Sequence, residues 1–534
     1  MSSESFRCSH ELNFERTFCN IHEGRTVFIQ SDDVSCIARC PSPFRDANAH
    51  QLLEMSLIGR EQDNTPVSRL AVAACLILLL LEAAKLTLFC AAAPAVRASD
   101  AGGYWVLANQ VANADIWMVR DPVAYRTPGY PWTIGFIQAC CGSHAWFVAV
   151  ALQYCAVWLT SALTGWWTMR VTGRPWLAVF SLILCVISAA RASHASTIMT
   201  ETFFTLCFTA TLISISLLGE KISVRHAFMT GLIWGLTWLL RPVAAALAPA
   251  WFVAFWLLHP GKLNSSLRER FISAFVTVGV LSVLLGPWMI RNQLLFQRPS
   301  LTVFIGRELW LTTFGPGQPS PPLLPETEAS RRLQELVLKG GGVSAWDNNW
   351  TVSSRLTESG LSDVEADELM KSVSQEAVLR NPSRILARFL WRSIDFWRSV
   401  YSRSMTFFEG LPEFAQLADD GDFSWEVQPC QTFRDAWLKN AWEGRLLGIE
   451  LMSTLALVGL GGLWLSPRTW KLGAVLTSAI SGTSFLTAVV EYPSYRYRMI
   501  LEPAMIVCMV AGWDVIIDVI RRGRRSLMQD LSNN

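Results

Sequence analysis

Residues 70–93 read LAVAACLILLLLEAAKLTLFCAAA, and this stretch decides the fold. An apolar run of about 20 residues is long enough to cross the hydrocarbon core of a bilayer as a helix. Comparable runs recur at 145–169, 176–193, 199–219, 226–241, 243–259, 271–290, 446–466, 470–489 and 500–520. Hydropathy therefore predicts an all-α polytopic membrane protein with about ten spans, a range of about nine to thirteen being compatible. The two spans on either side of Arg241-Pro242 are short enough to be re-entrant or broken helices.

Composition agrees. Of the 534 residues, 51% are hydrophobic and 16% charged, with 24 Trp and 28 Phe, and the mean hydropathy is +0.30. A soluble domain carries roughly 25% charged residues, so a water-soluble fold of this size is excluded for want of polar surface. The net charge of +2 excludes a nucleic-acid binder driven by bulk basic charge. Cys75, Cys90, Cys140, Cys155, Cys185, Cys207 and Cys508 lie in or beside apolar runs, where cysteine acts as a small hydrophobe rather than part of a disulfide framework. No cleavable leader is visible before the first apolar run. Residues 1–66 read as a polar cytoplasmic tail, with Met55 a plausible internal start. Its Cys8, Cys19, Cys36, Cys40, His10 and His22 lack the paired spacing of common zinc sites.

Charge asymmetry orients the spans. With the N-terminus inside, the inner loops carry Arg170 and Arg174, Lys221 and Arg225, then Lys262, Arg268 and Arg270. Arg468 and Lys471 follow, and finally Arg521, Arg522, Arg524 and Arg525. This divides the chain into a transmembrane half at 67–292 with a first external loop at 94–144, and an external helical segment at 293–445. C-terminal spans at 446–522 and a cytoplasmic tail at 523–534 complete it. Within the external segment, 315–325 is rich in turn residues, and Glu326 to Lys339 and Ser362 to Arg380 read as amphipathic helices. Arg384 to Tyr401, with Phe389, Trp391, Phe396 and Trp397, reads as a helix in the membrane interface.

A charged group near a membrane interior is costly and is a functional candidate by default. Six clusters fall on the external side. They are Ser99-Asp100 with Tyr104, Tyr125-Arg126 through Pro131, His194 through Glu201, Arg241-Pro242, Pro287-Trp288 through Arg291-Asn292, and Glu491 through Arg498 with Tyr497 between Arg496 and Arg498. Simpler roles are open to each. Asp100 can cap a helix, Arg126 can anchor a turn, and Glu201 can pair with Arg191 or His194. Arg241 and Arg291 can snorkel to the interface, and one of Arg496 and Arg498 can bind lipid headgroups. His144, His226 and His259 read as interfacial.

Arginine holds phosphate in bidentate fashion and keeps its charge. A carboxylate can take a proton from a hydroxyl nucleophile or hold a divalent cation against a phosphate. Outside the cytoplasm no nucleotide-activated sugars are supplied, so an external sugar transferase needs a donor carried on a lipid. The rival classes are a transporter or lipid flippase, a polysaccharide ligase or polymerase using a lipid-linked donor, and a non-enzymatic scaffold.

Taken in order, SDAGGYWVLANQ (99–110), YRTPGYPWTIGFIQ (125–138), MTETFFTL (199–206), LTWLLRPVAAALAP (236–249), GPWMIRNQLLFQRP (286–299) and YRYRMILEPAMIV (495–507) resemble the GT-C membrane glycosyltransferases. The similarity is to the branch with protein O-mannosyltransferases and the aminoarabinose transferases of lipid A, and covers roughly 70–515. It implies a GT-C fold with interface helices in the first external loop and a polyprenyl-phosphate sugar as donor. The acceptor would be a lipid, glycan or protein, and the site would face the periplasmic side of the inner membrane. Carried over, Asp100 engages the acceptor hydroxyl and Glu201 is the second acidic residue. Arg126, Arg241, Arg291, Arg496 and Arg498 belong to the donor phosphate and lipid pocket, supported by Tyr104, Tyr125, Asn292 and Tyr497. No cofactor is certain; a divalent cation, if present, would fall to Asp100 and Glu201. The chain departs from eukaryotic protein mannosyltransferases in lacking their His-Glu type constellation and an MIR-like domain, which favours a bacterial type with an unspecified sugar.

Overall fold

The computed structural model describes residues 66–92, 100–188, 191–192, 195–196, 198–258, 263–315, 319–341, 348–398, 449–490 and 495–533, with the side chains of Ala92, Asp100, residues 263–266, Arg398, residues 449–450, Tyr495, Arg496 and Asn533 outside that set. The expectations for 1–65 and for Tyr401 lie outside the described residues. All regular structure among the described residues is helical. Six stretches are long and apolar enough to cross a membrane: Pro66–Ala91, Gly129–Thr172, Glu201–Glu220, Leu267–Phe296, Trp470–Val490 and Glu502–Ser532. The chain is thus all-α and of polytopic membrane type.

In chain order the first half comprises α1 (Pro66–Ala92), α2 (Asp100–Ala112), α3 (Gly129–Cys141), α4 (Ala145–Thr172), α5 (Pro175–Ile187), α6 (Glu201–Glu220) and α7 (Val224–Leu240). A rod at 242–257 follows, passing from a 3-10 turn (Pro242–Leu247) through Ala248–Phe252 to a π turn (Val253–Leu257), and then α8 (Leu263–Phe296). Among the described residues every apolar stretch read from the sequence is mainly helical, but four continuous helices are shorter than a crossing: α5, α7, the 242–257 rod, and α14 (Ile449–Leu463). The break after Arg241 follows from Pro242, which pushes its predecessor out of the helical region; Arg241 is extended, with φ −154° and ψ 137°.

The bundle buries an apolar core and also exposes apolar side chains on its outside. Leu76, Leu80 and Leu81 of α1 and Phe275, Val283 and Leu294 of α8 are exposed, whereas Thr160, Ser161, Thr164 and Thr168 of α4 are buried. The three threonine hydroxyls donate to carbonyls one turn back, at 2.7, 2.7 and 3.0 Å, so they pack between helices without an unmet donor. Thr168 also meets Ser181 of α5 at 2.8 Å. In lipid, apolar contact alone gives helices little reason to associate, and small or hydroxyl residues set the close approaches. The tightest is Gly459 of α14 against Gly512, where a Cβ on either residue would overlap the other helix's backbone.

The segment after α8 folds around its own core of Trp310, Phe314, Leu333, Val337, Val352, Leu356, Met370 and Val373. It contains α9 (Ile305–Phe314), α10 (Glu328–Lys339), α11 (Asn349–Glu358), α12 (Asp363–Arg380) and α13 (Pro382–Arg398). Thr327 caps α10, Asn348 caps α11, and Ser362 with Glu365 forms a capping box on α12, satisfying amides that a helix start leaves open. Helix α13 turns Arg388 and Arg392 inward. Buried Arg388 donates to the carbonyls of Pro319 and Gly315, both at 2.5 Å, and Arg392 to that of Leu311 at 2.7 Å. Leu386, Leu390, Trp391 and Ile394 face outward, the arrangement of a helix whose free face suits lipid rather than water. The chain ends in α15 (Trp470–Val490), α16 (Tyr495–Met499), α17 (Glu502–Val507), a π turn at Cys508–Gly512 and α18 (Trp513–Asn533).

Candidate functional site

At 13 residues α5 reaches only about 20 Å, against a hydrocarbon core of about 30 Å. Of the apolar stretch at 176–193, the helix Pro175–Ile187 is continuous, and Arg191 and Ala192 are again helical, with residues 189–190, 193–194 and 197 outside the described set. The last carbonyls of α5 are taken by cations. Lys85 of α1 donates to Val186 O at 2.6 Å and Arg191 to Cys185 O at 3.1 Å, which meets acceptors a helix end leaves open. Ser188, Arg191, Ala192, Ala195, Ser196, Ile198, Met199 and Thr200 are all buried. The described turns at 195–196 and 200 and bends at 198–199 are thus covered by protein, which is where non-helical backbone is tolerated in a membrane protein.

Three such breaks meet: 188–200, 241–247 and 495–501. Glu201 opens α6, where the helix dipole favours an anion, and its Oε1 lies 2.9 Å from Arg241 Nη1. The Arg241 guanidinium stands 5.1 Å from the Tyr497 ring and 5.9 Å from that of Phe204.

The 125–131 arm joins this cluster. Arg126 lies 4.2 Å over the Tyr104 ring and 5.4 Å from that of Tyr125. Tyr104 packs edge-on to Tyr130 at 5.1 Å. Tyr130 donates to Gln153 Oε1 at 2.7 Å, and Gln153 Nε2 donates to the Ala195 carbonyl at 2.7 Å. Thr127 donates to Leu240 O at 2.9 Å, and a Cβ on Gly129 would stand 2.7 Å from Leu239 O. The arm is thus pressed against the end of α7, beside Arg241. Asp100 is the first residue of α2, one turn before Tyr104 and so on the same helix side; its side chain, like Ser99, His194 and the 491–494 stretch, lies outside the described residues. Tyr125 turns away from the cluster to a ring group with Phe304 and Trp350 around Arg307.

Other expected residues are placed elsewhere. Arg291 donates to the carbonyls of Trp117 at 3.0 Å and Met118 at 2.6 Å and to Asn292 Oδ1 at 2.7 Å, and stacks 4.5 Å from the Trp288 ring. Asn292 in turn donates to Ser300 O and Leu301 O at 2.7 and 3.1 Å. Arg291 therefore braces the first loop, whose Met118 holds a left-handed φ of 49° that costs a non-glycine residue energy, while Asn292 holds the 300–301 stretch. Asp115 accepts the amides of Val119 and Arg120 there, at 3.0 and 2.9 Å. Burial alone would raise its pKa, but those amides and the positive charge of Arg120 and Arg291 hold it below the ordinary carboxylate value. Arg498 donates to Phe396 O at 3.1 Å and Trp397 O at 3.4 Å, fastening α16 to the last turn of α13.

The structure adds a charged group absent from the sequence-based set. Glu82 and Lys85 are paired at 2.5 Å, Arg191 Nε lies 3.3 Å from Glu502 Oε2, and all four side chains are buried. Its signal was in plain view, as two charges three residues apart inside the most apolar run of the chain.

Glu201 already faces a guanidinium at 2.9 Å, which repels a metal ion from that carboxylate. Among the described residues no group of three or more His, Cys, Asp or Glu could hold a metal. In comparisons with known proteins, no family model matches the chain and no curated protein matches it.

Proposed function

We propose that the chain is an integral-membrane glycosyltransferase of the GT-C type, moving a hexosyl or pentosyl group from a polyprenyl-phosphate donor to an acceptor hydroxyl. The site would face the periplasmic side of the inner membrane, a side inferred from the basic inner loops. The observation that carries this reading is the meeting of Glu201, Arg241, Tyr497, Arg126 and Tyr104 where three helices break. Two guanidiniums over aromatic rings, next to lipid, suit a phosphate whose carrier chain stays in the bilayer. Asp100 would accept the proton of the acceptor hydroxyl as its oxygen bonds to the anomeric carbon. The bond from that carbon to the phosphate oxygen breaks, the configuration inverts, and polyprenyl phosphate leaves with its charge met by Arg241 and Arg126. Glu201 would fix and partly neutralise Arg241, so that the site holds a phosphate monoester without trapping it.

One observation favours a second reading. The Glu82–Lys85–Arg191–Glu502 group sits well inside the bundle, as charged sites of transporters and flippases do. Membranes containing the protein, supplied with a radiolabelled polyprenyl-phosphate sugar, separate the classes. Label transferred singly to an acceptor supports the glycosyltransferase, and transfer of a preassembled glycan indicates a ligase or polymerase. Label that changes leaflet with its lipid bond intact indicates a flippase.

A further inference from the structure

Glu82 lies ten residues from the Ala92 end of α1, about 15 Å along the helix. Arg191 Nη1 donates at 3.3 Å to Ser161, which lies 11 residues from the Thr172 end of α4, about 17 Å. The four charges therefore sit near mid-span, where isolated ions are most costly. Glu82 is within electrostatic reach of both Arg191 and Glu502, so two anions and two cations balance. Stability alone does not call for them, because apolar residues of similar volume often stabilise as well as a buried ion pair. What the charges supply is register. Arg191 belongs to the connection between α5 and Glu201, and Glu502 begins α17 directly after the stretch bearing Tyr497. Lys85 and Arg191 together terminate α5, and α1 leads into the segment before Asp100.

We propose that Arg191 and Glu502, backed by Glu82 and Lys85, are positioning residues that latch the 188–200 stretch to the 495–501 stretch and so hold Arg241 and Tyr497 in anion-binding geometry; the anion-binding part rests on the donor-phosphate reading above. Two ion pairs then bracket the same breaks. Arg191–Glu502 is the inner one, and Glu201–Arg241 is the outer one, at the site itself. Gln153 ties Ala195 to Tyr130 between them, which carries the register of the inner latch to the arm bearing Arg126.

The test compares wild type, Glu502→Gln and the exchanged pair Arg191→Glu with Glu502→Arg, each full length in lipid nanodiscs. Farnesyl phosphate serves as the binding probe, and backbone hydrogen exchange reports the two stretches. The expected result is probe binding weakened by at least about tenfold in Glu502→Gln, faster exchange confined to 188–201 and 495–501, and recovery of both in the exchanged pair. Unchanged binding and exchange in Glu502→Gln overturn the proposal. If wild type does not bind the probe, the donor-phosphate reading fails, and the exchange pattern alone supports or overturns the latch. If Glu502→Gln loses its fold throughout, the exchanged pair decides: recovery supports the latch, and failure to recover overturns it.

Discussion

Arg241 Nη1 and Glu201 Oε1 stand 2.9 Å apart, with the two side chains 12% and 1% exposed. The pair joins the first residue of one helix to the extended residue after another, so it is both an ion pair and a clamp across two helix breaks. Removing one partner leaves a buried charge uncompensated. Glu201→Gln should cost about 3–5 kcal/mol and abolish transfer, whereas Glu201→Asp should retain part of both. Thermal unfolding in nanodiscs checks this; a Glu201→Gln midpoint equal to wild type would show that the pair contributes little.

Gly129 is where the arm bearing Arg126 touches α7. A methyl group there would stand 2.7 Å from the Leu239 carbonyl, a contact that backbone cannot yield cheaply. Gly129→Ala should destabilise by about 1–3 kcal/mol and reduce transfer, while Gly102→Ala, whose Cβ meets nothing within 4 Å, should be silent in both assays. Equal activity of the two variants would remove the arm from the account.

Arg291 spends its guanidinium on carbonyls of the first loop. Arg291→Ala should therefore lower the yield of folded protein and loosen 114–123 in hydrogen exchange. The fraction that folds should keep its affinity for farnesyl phosphate. A selective loss of affinity with unaltered exchange would return Arg291 to the donor pocket.

Asp115 gives the loop a pH dependence of known sign. Its folded-state pKa is depressed below the ordinary aspartate value, so the unfolded chain takes up a proton first as pH falls. Its contribution is fully present above that value and is lost as pH drops through the lower folded-state pKa. Between pH 6 and pH 3, about the span in which carboxylates titrate, wild type should lose more stability than Asp115→Asn. Parallel pH profiles would contradict the assignment.

Hydropathy made the spans legible because apolar length is a local property of the chain. It could not show that α5 pauses at Ile187, because Lys85, whose side chain with Arg191 takes the helix's last carbonyls, lies about a hundred positions away. Glu201 and Arg241 were legible as rare charges at helix ends, although their pairing depends on how α6 and α7 pack. Arg291 and Arg126 look alike in sequence, each an arginine near Pro and aromatic residues. Only the fold shows one facing backbone carbonyls and the other a tyrosine ring. Glu82 and Lys85 were overlooked because an average over about 20 residues absorbs two opposite charges.

The central claim is that this protein discharges a polyprenyl-phosphate sugar at the cluster around Arg241. The most direct measurement follows release of polyprenyl phosphate from a panel of radiolabelled polyprenyl-phosphate sugars by wild type, Asp100→Asn and Arg241→Gln in membranes of matched expression. The account predicts acceptor-dependent release by wild type with at least one sugar, and loss of about a hundredfold or more in each variant. Full release by Asp100→Asn and Arg241→Gln, or none by wild type with any sugar, would contradict it.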